Sequence, residues 1–176
     1  MKMNFLKRIS EIIDNTMEKI GRGISWLTTL MVLTVTYDVI MRYGFKRGNI
    51  AVQEMEWHLF AIIFLIGAAY ALKKEAHVRV DIIYTKLSKK QKAWIDFFGT
   101  FLFLLPFCIM VIYITRNFIE SSWAVGETSP DPGGLPGRYL LKAMIPAGFF
   151  LLIIQGISQA IKNFLVIIGK ESEVPQ

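Results

Sequence analysis

Residues 52–81, VQEMEWHLFAIIFLIGAAYALKKEAHVRVD, contain the segment that decides the fold. Two carboxylates, Glu54 and Glu56, precede a run without charge that ends at a pair of lysines. The 21 residues from 52 to 72 rise by about 31 Å as an α-helix, which is close to one hydrocarbon thickness. Acids at the start and lysines at the end also suit the helix dipole. The stretch therefore predicts a membrane-spanning helix with polar groups at both ends.

The composition of the whole chain points the same way. Of its 176 residues 53% are hydrophobic, and the 19% that are charged lie in a few short blocks. This segregation is typical of an integral membrane protein, whereas a soluble domain of this size rarely has so many apolar side chains. The net charge is +6, and the lysines and arginines that produce it flank the apolar runs. Their placement favours membrane topology over nucleic-acid binding. The single cysteine, Cys108, excludes a disulfide within the chain and a cysteine-based redox pair or zinc cluster.

Hydropathy divides the chain into an amphipathic N-terminal segment and four apolar runs. In residues 1–22 apolar side chains recur every three or four positions among charged ones. This pattern predicts an amphipathic helix in the membrane surface, with docking on a partner protein as the alternative. The predicted membrane-spanning helices are residues 24–41, 52–72, 93–115 and 139–161. We expect a single membrane domain over residues 1–176: an all-α integral membrane protein with four transmembrane helices and an N-terminal amphipathic surface helix.

Basic and aromatic residues indicate the orientation. Fourteen lysines and arginines fall in the N-terminal segment, the 73–92 loop and the C-terminal tail, and six fall in the other two loops. The positive-inside rule then places both termini and the 73–92 loop in the cytoplasm. The tryptophans lie at or just beyond the predicted helix ends, as interfacial residues do: Trp26, Trp57, Trp94 and Trp123.

Few polar side chains lie within the predicted spans. Asp38 and Arg42 are four residues apart near the end of the first helix, where we expect a boundary ion pair rather than a transport site. Gly67 and Ala71 form a small-xxx-small pair, which predicts close approach of another helix. Gln155 is the clearest polar residue near mid-membrane, and its helix is not interrupted there. We therefore infer that this chain does not carry a substrate site.

The two histidines offer little for redox chemistry. His58 and His77 are 19 residues apart at opposite ends of the second helix, about 28 Å along its axis, so they cannot ligate one haem together. No nucleophile, base and acid can be placed together from the sequence either. We expect a subunit that holds another protein. Two alternatives stay open, which are the membrane anchor of a redox complex and a small transporter that works alone.

Several motifs, in order along nearly the whole chain, resemble a known family. They are Arg42-Tyr43, Glu54 with Glu56, Gly67-Ala68-Ala69, His77-Val78-Arg79-Val80-Asp81, the segment Ser129-Pro130-Asp131-Pro132-Gly133-Gly134-Leu135-Pro136, Arg138-Tyr139 and Ile145-Pro146-Ala147-Gly148. Their order resembles the small, Q-type (DctQ-like) membrane subunit of the TRAP (tripartite ATP-independent periplasmic) transporters. The turn that begins at His77, after a helix with an acidic start, is the most specific of these motifs.

The resemblance implies a function and partners. In this family a periplasmic solute-binding protein, the receptor, captures an organic acid, and a large M-type subunit moves it by an elevator motion driven by sodium. The small subunit packs against the large one in the bacterial inner membrane as part of the static scaffold, and it helps to present a surface to the receptor. The family uses neither ATP nor a prosthetic group, so we expect no cofactor, no metal and no enzymatic activity.

The resemblance also suggests where partners would bind. The candidate contacts are Glu54, Glu56, Trp57, Gly67, Ala71, Glu127, Ser129, Asp131 and Arg138. The first three would meet the large subunit or the receptor, with capping of the helix dipole as the alternative. The 127–138 loop is the best candidate for contact with the receptor or the large subunit, because rigid proline and glycine turns lose little entropy on docking. The alternative is that it is a plain connector. A polar turn of His77, Arg79 and Asp81 is expected to pin the cytoplasmic 73–92 loop.

Overall fold

The computed structural model describes residues 2–74 and 87–170, and these residues form four long helices and no strand. Helix α1 covers Lys2–Val39 and continues into a π-helical turn, Ile40–Gly44; α2 covers Ile50–Lys73, α3 covers Lys89–Ala124 and α4 covers Arg138–Ile167. Each is long and apolar enough to cross a membrane. The prediction of an all-α integral membrane protein with four transmembrane helices is therefore confirmed. The turn predicted at His77, Arg79 and Asp81 lies outside the described residues.

Helix α4 occupies the centre of the bundle. It contacts the other three helices, while α1 also packs along α2, and α3 packs mainly on α4. Helices α2 and α4 run in one direction, and α1 and α3 run in the other. The 127–138 loop therefore lies at one end of the bundle, here called the loop end. Residues 2 and 170 lie at the opposite end, here called the terminal end.

Helix α1 is continuous through both the predicted surface segment and the first predicted span. The sequence predicts a boundary at residues 22–24, but the helix passes through this region without a break. Gly21 is needed for packing, because a Cβ there would lie 2.6 Å from Cε2 of Tyr70 in α2. A glycine inside a helix costs stability but lets another element come close. Here it marks a helix contact and not a helix end.

The contact between α2 and α4 depends on a different glycine from the one that the sequence singles out. A Cβ on Gly148 would lie 2.5 Å from the carbonyl oxygen of Leu65, so only glycine allows this approach. Gly67 faces Ile24 of α1, and a Cβ there would lie 3.6 Å from that side chain, which is an ordinary contact. The tight small-residue contact of α2 is therefore made with α4, through Gly148.

Helix α3 is distorted beside its proline. The π-helical turn Thr100–Leu104 lies just before Pro106, and the residue that follows it donates to the carbonyl of Thr100, five positions back. Proline lacks an N–H and crowds the preceding turn, so a local change of helix pitch is expected there. The wider turn packs on Gly156 of α4, where a Cβ would lie 2.7 Å from Leu104.

Candidate functional site

The 127–138 loop is fastened to the second turn of α2 by Glu54. This side chain is only 4% exposed. Its Oε1 accepts a hydrogen bond from the Ser129 hydroxyl, and its Oε2 accepts one from the Leu135 N–H at 2.5 Å. The Arg138 guanidinium lies farther away, with Nη2 3.4 Å from Oε1. Glu54 therefore serves as the internal hydrogen-bond acceptor of the loop, mostly from uncharged donors.

The loop also bonds to itself around this carboxylate. The Ser129 N–H donates to the Leu135 carbonyl at 3.1 Å, and the Gly134 N–H donates to the Asp131 carbonyl at 3.0 Å. The Asp131 N–H donates to the Ser129 hydroxyl at 3.1 Å. A Cβ on Gly134 would lie 2.8 Å from Oε2 of Glu54, so the backbone comes this close only because a side chain is missing.

Polar groups with unused hydrogen-bonding capacity surround this attachment. The Arg138 guanidinium lies 5.6 Å from the centroid of the Trp57 ring, and Trp57 is 40% exposed. Arg138 Nε and Glu56 Oε1 are both buried, and neither has a hydrogen-bond partner among the described residues. His58 is satisfied, because its Nδ1 lies 2.6 Å from the Glu54 carbonyl and donates to it. The Trp57 ring and part of the Arg138 side chain are therefore accessible at the surface of the loop end, whereas the unpaired Nε and Oε1 atoms lie beneath it.

Two ion pairs complete the loop end. Asp38 is buried and pairs with Arg42, four residues further along the chain. Glu127 pairs with Lys142, whose ammonium lies 3.9 Å from the centroid of the Phe118 ring. The hydrogen bond from Lys142 lowers the pKa of Glu127 below its ordinary value of 4.5. The first pair lies within the end of α1, and the second joins the 127–138 loop to the first turns of α4.

A second buried carboxylate, which the sequence did not reveal, joins α1 to α4 towards the terminal end. Asp14 is 8% exposed and accepts hydrogen bonds from the Ser158 hydroxyl at 2.8 Å and the Gln155 amide at 3.2 Å. It also pairs with Lys162. The three partners share one face of α4, and this spacing is the only sign in the sequence of a buried polar contact. Asp14 itself could not be assigned to them, because it lies 144 residues from Ser158 along the chain.

Helix α2 contributes a further ion-pair cluster at the terminal end. Glu18 lies 2.6 Å from Nζ of Lys73 and 3.2 Å from Nζ of Lys74. This cluster and the Asp14–Lys162 pair line a polar cleft of about 380 Å³ between α1, α2 and α4. Two acids of α1, Asp14 and Glu18, are thus neutralised by lysines that belong to the other two helices.

The groove between α3 and α4 is apolar by contrast. It encloses about 540 Å³ and is lined mainly by aliphatic side chains, Tyr113 and Pro146. Its charged residues, Arg116 and Glu120, pair with each other at 2.7 Å. The groove therefore has the lining expected of a lipid or helix contact and not of a site for a charged solute.

Comparison with known proteins identifies the family. Residues 31–165 match the family model described as the DctQ component of the tripartite ATP-independent periplasmic transporters. The chain is 30% identical over 125 residues to a TRAP transporter small permease protein of Haemophilus influenzae, covering 71% of this chain and 75% of that protein. It is 27% identical over 153 residues to the ectoine TRAP transporter small permease protein TeaB of Halomonas elongata, covering 86% and 77%. The resemblance seen in the motifs is confirmed, and this chain belongs to the DctQ family of TRAP transporter small permease subunits.

Proposed function

We propose that this small permease subunit is a static scaffold for the large M-type membrane subunit of a sodium-driven TRAP transporter. The transporter would take up an organic acid that a periplasmic solute-binding protein delivers. It would lie in the bacterial inner membrane, with the terminal end of this chain in the cytoplasm, as the distribution of lysine and arginine predicts. Family membership supports the association with both partners, and the scaffold role is the further step.

The scaffold role is supported by the burial and hydrogen bonding of Gln155. This was the polar residue closest to mid-membrane in the sequence, and a substrate site would need such a group facing a cavity. Gln155 is instead fully buried and donates its amide to Asp14. The described polar cleft lies at the terminal end and is lined by ion pairs. This arrangement supports a chain that stabilises its own helices and leaves the substrate to the large subunit.

Partner contact is proposed at the loop end. Trp57 and Arg138 form a partly exposed cation–π pair, and tryptophan and arginine are the residues most often found at the energetic centre of interfaces. Glu56 precedes Trp57 in α2, but its unpaired Oε1 is buried, so the proposed contact rests on Trp57 and Arg138. Glu54 is covered by the loop, so we propose that it acts by holding the 127–138 surface in shape and not by direct contact.

Reconstitution tests the assignment of roles. Proteoliposomes would contain this chain alone, the large subunit alone, or both, with the receptor, an inward sodium gradient and a panel of C4-dicarboxylates, 2-oxo acids, sugar acids and sialic acids. We expect uptake of at least one acid only when both subunits, the receptor and sodium are present. Uptake by this chain alone would contradict the scaffold role. Uptake that does not change when sodium is replaced by potassium would contradict the proposal that sodium is the coupling ion.

A matched pair of variants tests the contact surface. Trp57→Ala removes the ring that lies under Arg138, and we expect the receptor concentration for half-maximal uptake to rise about tenfold, as for an interface centre. Trp123→Ala removes a more exposed tryptophan of the loop end that packs on Tyr139 instead. It should leave this value unchanged. An equal effect of both variants would indicate a general loss of interfacial aromatic residues and would remove the specific role of Trp57.

A further inference from the structure

The first turns of α1 have two faces of different chemistry. At about 100° per residue, one side of the helix carries the buried residues Ser10, Asp14, Met17 and Gly21, which face the rest of the bundle. The opposite side carries Phe5, Arg8, Ile12, Lys19, Arg22 and Trp26, all of them exposed. This second set, the outer face of α1, alternates cationic side chains with large apolar ones.

The charges on the outer face are not used inside the protein. Asp14 and Glu18 of α1 turn inward and pair with lysines of α4 and α2. Arg8, Lys19 and Arg22 make no ion pair with any residue in the part of the chain that the structure describes. Glu11, the other acid of these turns, is half-buried and lines the polar cleft between α1, α2 and α4. The outer face itself carries three cations and no acid, so α1 has an excess of positive charge on one exposed side.

The course of α1 brings this side to the membrane boundary. Its 38 residues correspond to about 57 Å, which exceeds the ~30 Å of hydrocarbon, so part of α1 must lie outside the hydrocarbon. Its later turns lie along α2, where Ile24 faces Gly67. Its first turns cross α4 and reach α3, where Leu6 shares a cavity of about 220 Å³ with Phe97 and Phe101. The oblique path keeps the first turns beside the bundle at the terminal end.

We propose that the outer face of α1 binds anionic phospholipid headgroups. Arg8, Lys19 and Arg22 supply the positive charge, while Phe5 and Ile12 enter the boundary between headgroups and acyl chains. Helices with this combination bind membranes through apolar area together with attraction to anionic lipids. A zwitterionic lipid gains only the apolar part, so the surface discriminates by headgroup charge.

The test measures lipid affinity of the purified full-length chain in detergent by native mass spectrometry, with phosphatidylglycerol and phosphatidylethanolamine as probes. The variant Lys19→Gln/Arg22→Gln removes two charges from the outer face. The matched control, Lys46→Gln/Arg47→Gln, removes two exposed charges between α1 and α2 at the loop end. One basic residue near an anionic surface changes binding about fivefold. We expect the first variant to bind phosphatidylglycerol about 25-fold more weakly, with the control and phosphatidylethanolamine binding unchanged.

Several results would overturn the proposal. Unchanged phosphatidylglycerol affinity in the Lys19→Gln/Arg22→Gln variant would exclude the site. An equal loss of affinity in the control would show that binding depends on the net charge of the chain and not on the outer face of α1. If the Lys19→Gln/Arg22→Gln variant kept its phosphatidylglycerol affinity but no longer co-purified with the large subunit, the outer face would be assigned to an acidic protein partner. Circular dichroism checks that each variant is folded. If the double variant does not fold, Arg8→Gln replaces it, with an expected loss of about fivefold.

Discussion

Glu54 and Asp14 are both buried carboxylates that join distant parts of the chain, but they differ in what they hold. Glu54 accepts hydrogen bonds mainly from neutral groups, the Ser129 hydroxyl and the Leu135 N–H. It therefore shapes a surface loop. Asp14 pairs with the ammonium of Lys162 and joins two helices. Neutral donors released from Glu54 can turn to water at the surface, whereas a cation released from Asp14 stays largely buried. Loss of Asp14 should thus weaken the bundle, and loss of Glu54 should loosen only the loop.

The largest effect is expected from Asp14→Ala. The substitution leaves the Lys162 ammonium without its counter-ion and leaves two more donors, on Gln155 and Ser158, without an acceptor. Removing one partner of a buried ion pair costs several kcal/mol, because the other charge remains in a poorly solvated site. We expect a loss of about 3 kcal/mol in the free energy of unfolding, measured by SDS titration in mixed micelles.

The double variant Asp14→Ala/Lys162→Met is the control for this effect. It removes the uncompensated charge and keeps an apolar stem of similar length, so part of the lost stability should return. A double variant as unstable as Asp14→Ala would show that the cost arises from lost packing or from the neutral donors. The proposed difference between Asp14, which is paired with a charge, and Glu54, which is bonded mainly to neutral groups, would then be wrong.

Gly134→Ala should have the next largest effect, confined to the loop end. The new Cβ would lie 2.5 Å from Cβ of Ser129 and 2.8 Å from Oε2 of Glu54, so the loop has to move away from its acceptor. Forcing a group into a packed site costs about 2 kcal/mol. Amides of residues 127–138 should therefore exchange hydrogen about 30-fold faster, as measured by mass spectrometry.

Gly48→Ala is the matched control for the loop. It adds the same methyl group in the other loop of the loop end, where the nearest atom lies 3.9 Å away, on Gln53. Exchange in residues 127–138 should stay as in the wild type. If Gly134→Ala also lowers the free energy of unfolding of the whole bundle, the loop is not the independent unit that the comparison with Asp14 requires.

A smaller change is expected from Glu54→Gln. The amide keeps the shape of the side chain but replaces one acceptor oxygen with a donor, so it cannot serve Ser129 and Leu135 as the carboxylate does. Loop amides should exchange faster, but less than in Gly134→Ala, while the free energy of unfolding stays close to the wild-type value. Glu56→Gln changes a carboxylate that has no hydrogen bond to the loop and should not alter exchange there. If both substitutions accelerated exchange in the loop equally, the loss of a negative charge alone would explain the effect.

Acid should produce the smallest effect, through Glu127. Lys142 lowers the pKa of this carboxyl, with a further contribution from the positive charge of Arg138. A group with a lowered pKa in the folded state stabilises it above the ordinary value of 4.5 and loses this contribution as the pH falls below that value. Loop protection, corrected for intrinsic exchange, should therefore fall as the pH drops below 4.5. Glu127→Gln should remove part of this dependence, and an unchanged pH profile would exclude the ion pair as its source.

The sequence identified the parts of the loop end but not their connection. Glu54 stood out as an acid at the start of a span, and the 127–138 loop stood out through its prolines and glycines. That one holds the other could not be read from the sequence, because Ser129 lies 75 residues from Glu54 and any polar group at that end could have been its partner. The unbroken course of α1 through Gly21 was also hidden, since a glycine can either end a helix or admit a neighbouring side chain.

What the sequence by itself determined was the number of spans, the helical class and the family. A bilayer requires about 20 consecutive apolar residues for each crossing, and this is a local property of the chain. Only the tertiary structure decided which face of α1 turns inward and which residues bond to Asp14, Glu54 and Gln155. A buried polar group must find a donor or acceptor, but this requirement does not specify which one. The partners of Asp14 are 141 to 148 residues away, and only the packing of α1 on α4 brings them within reach.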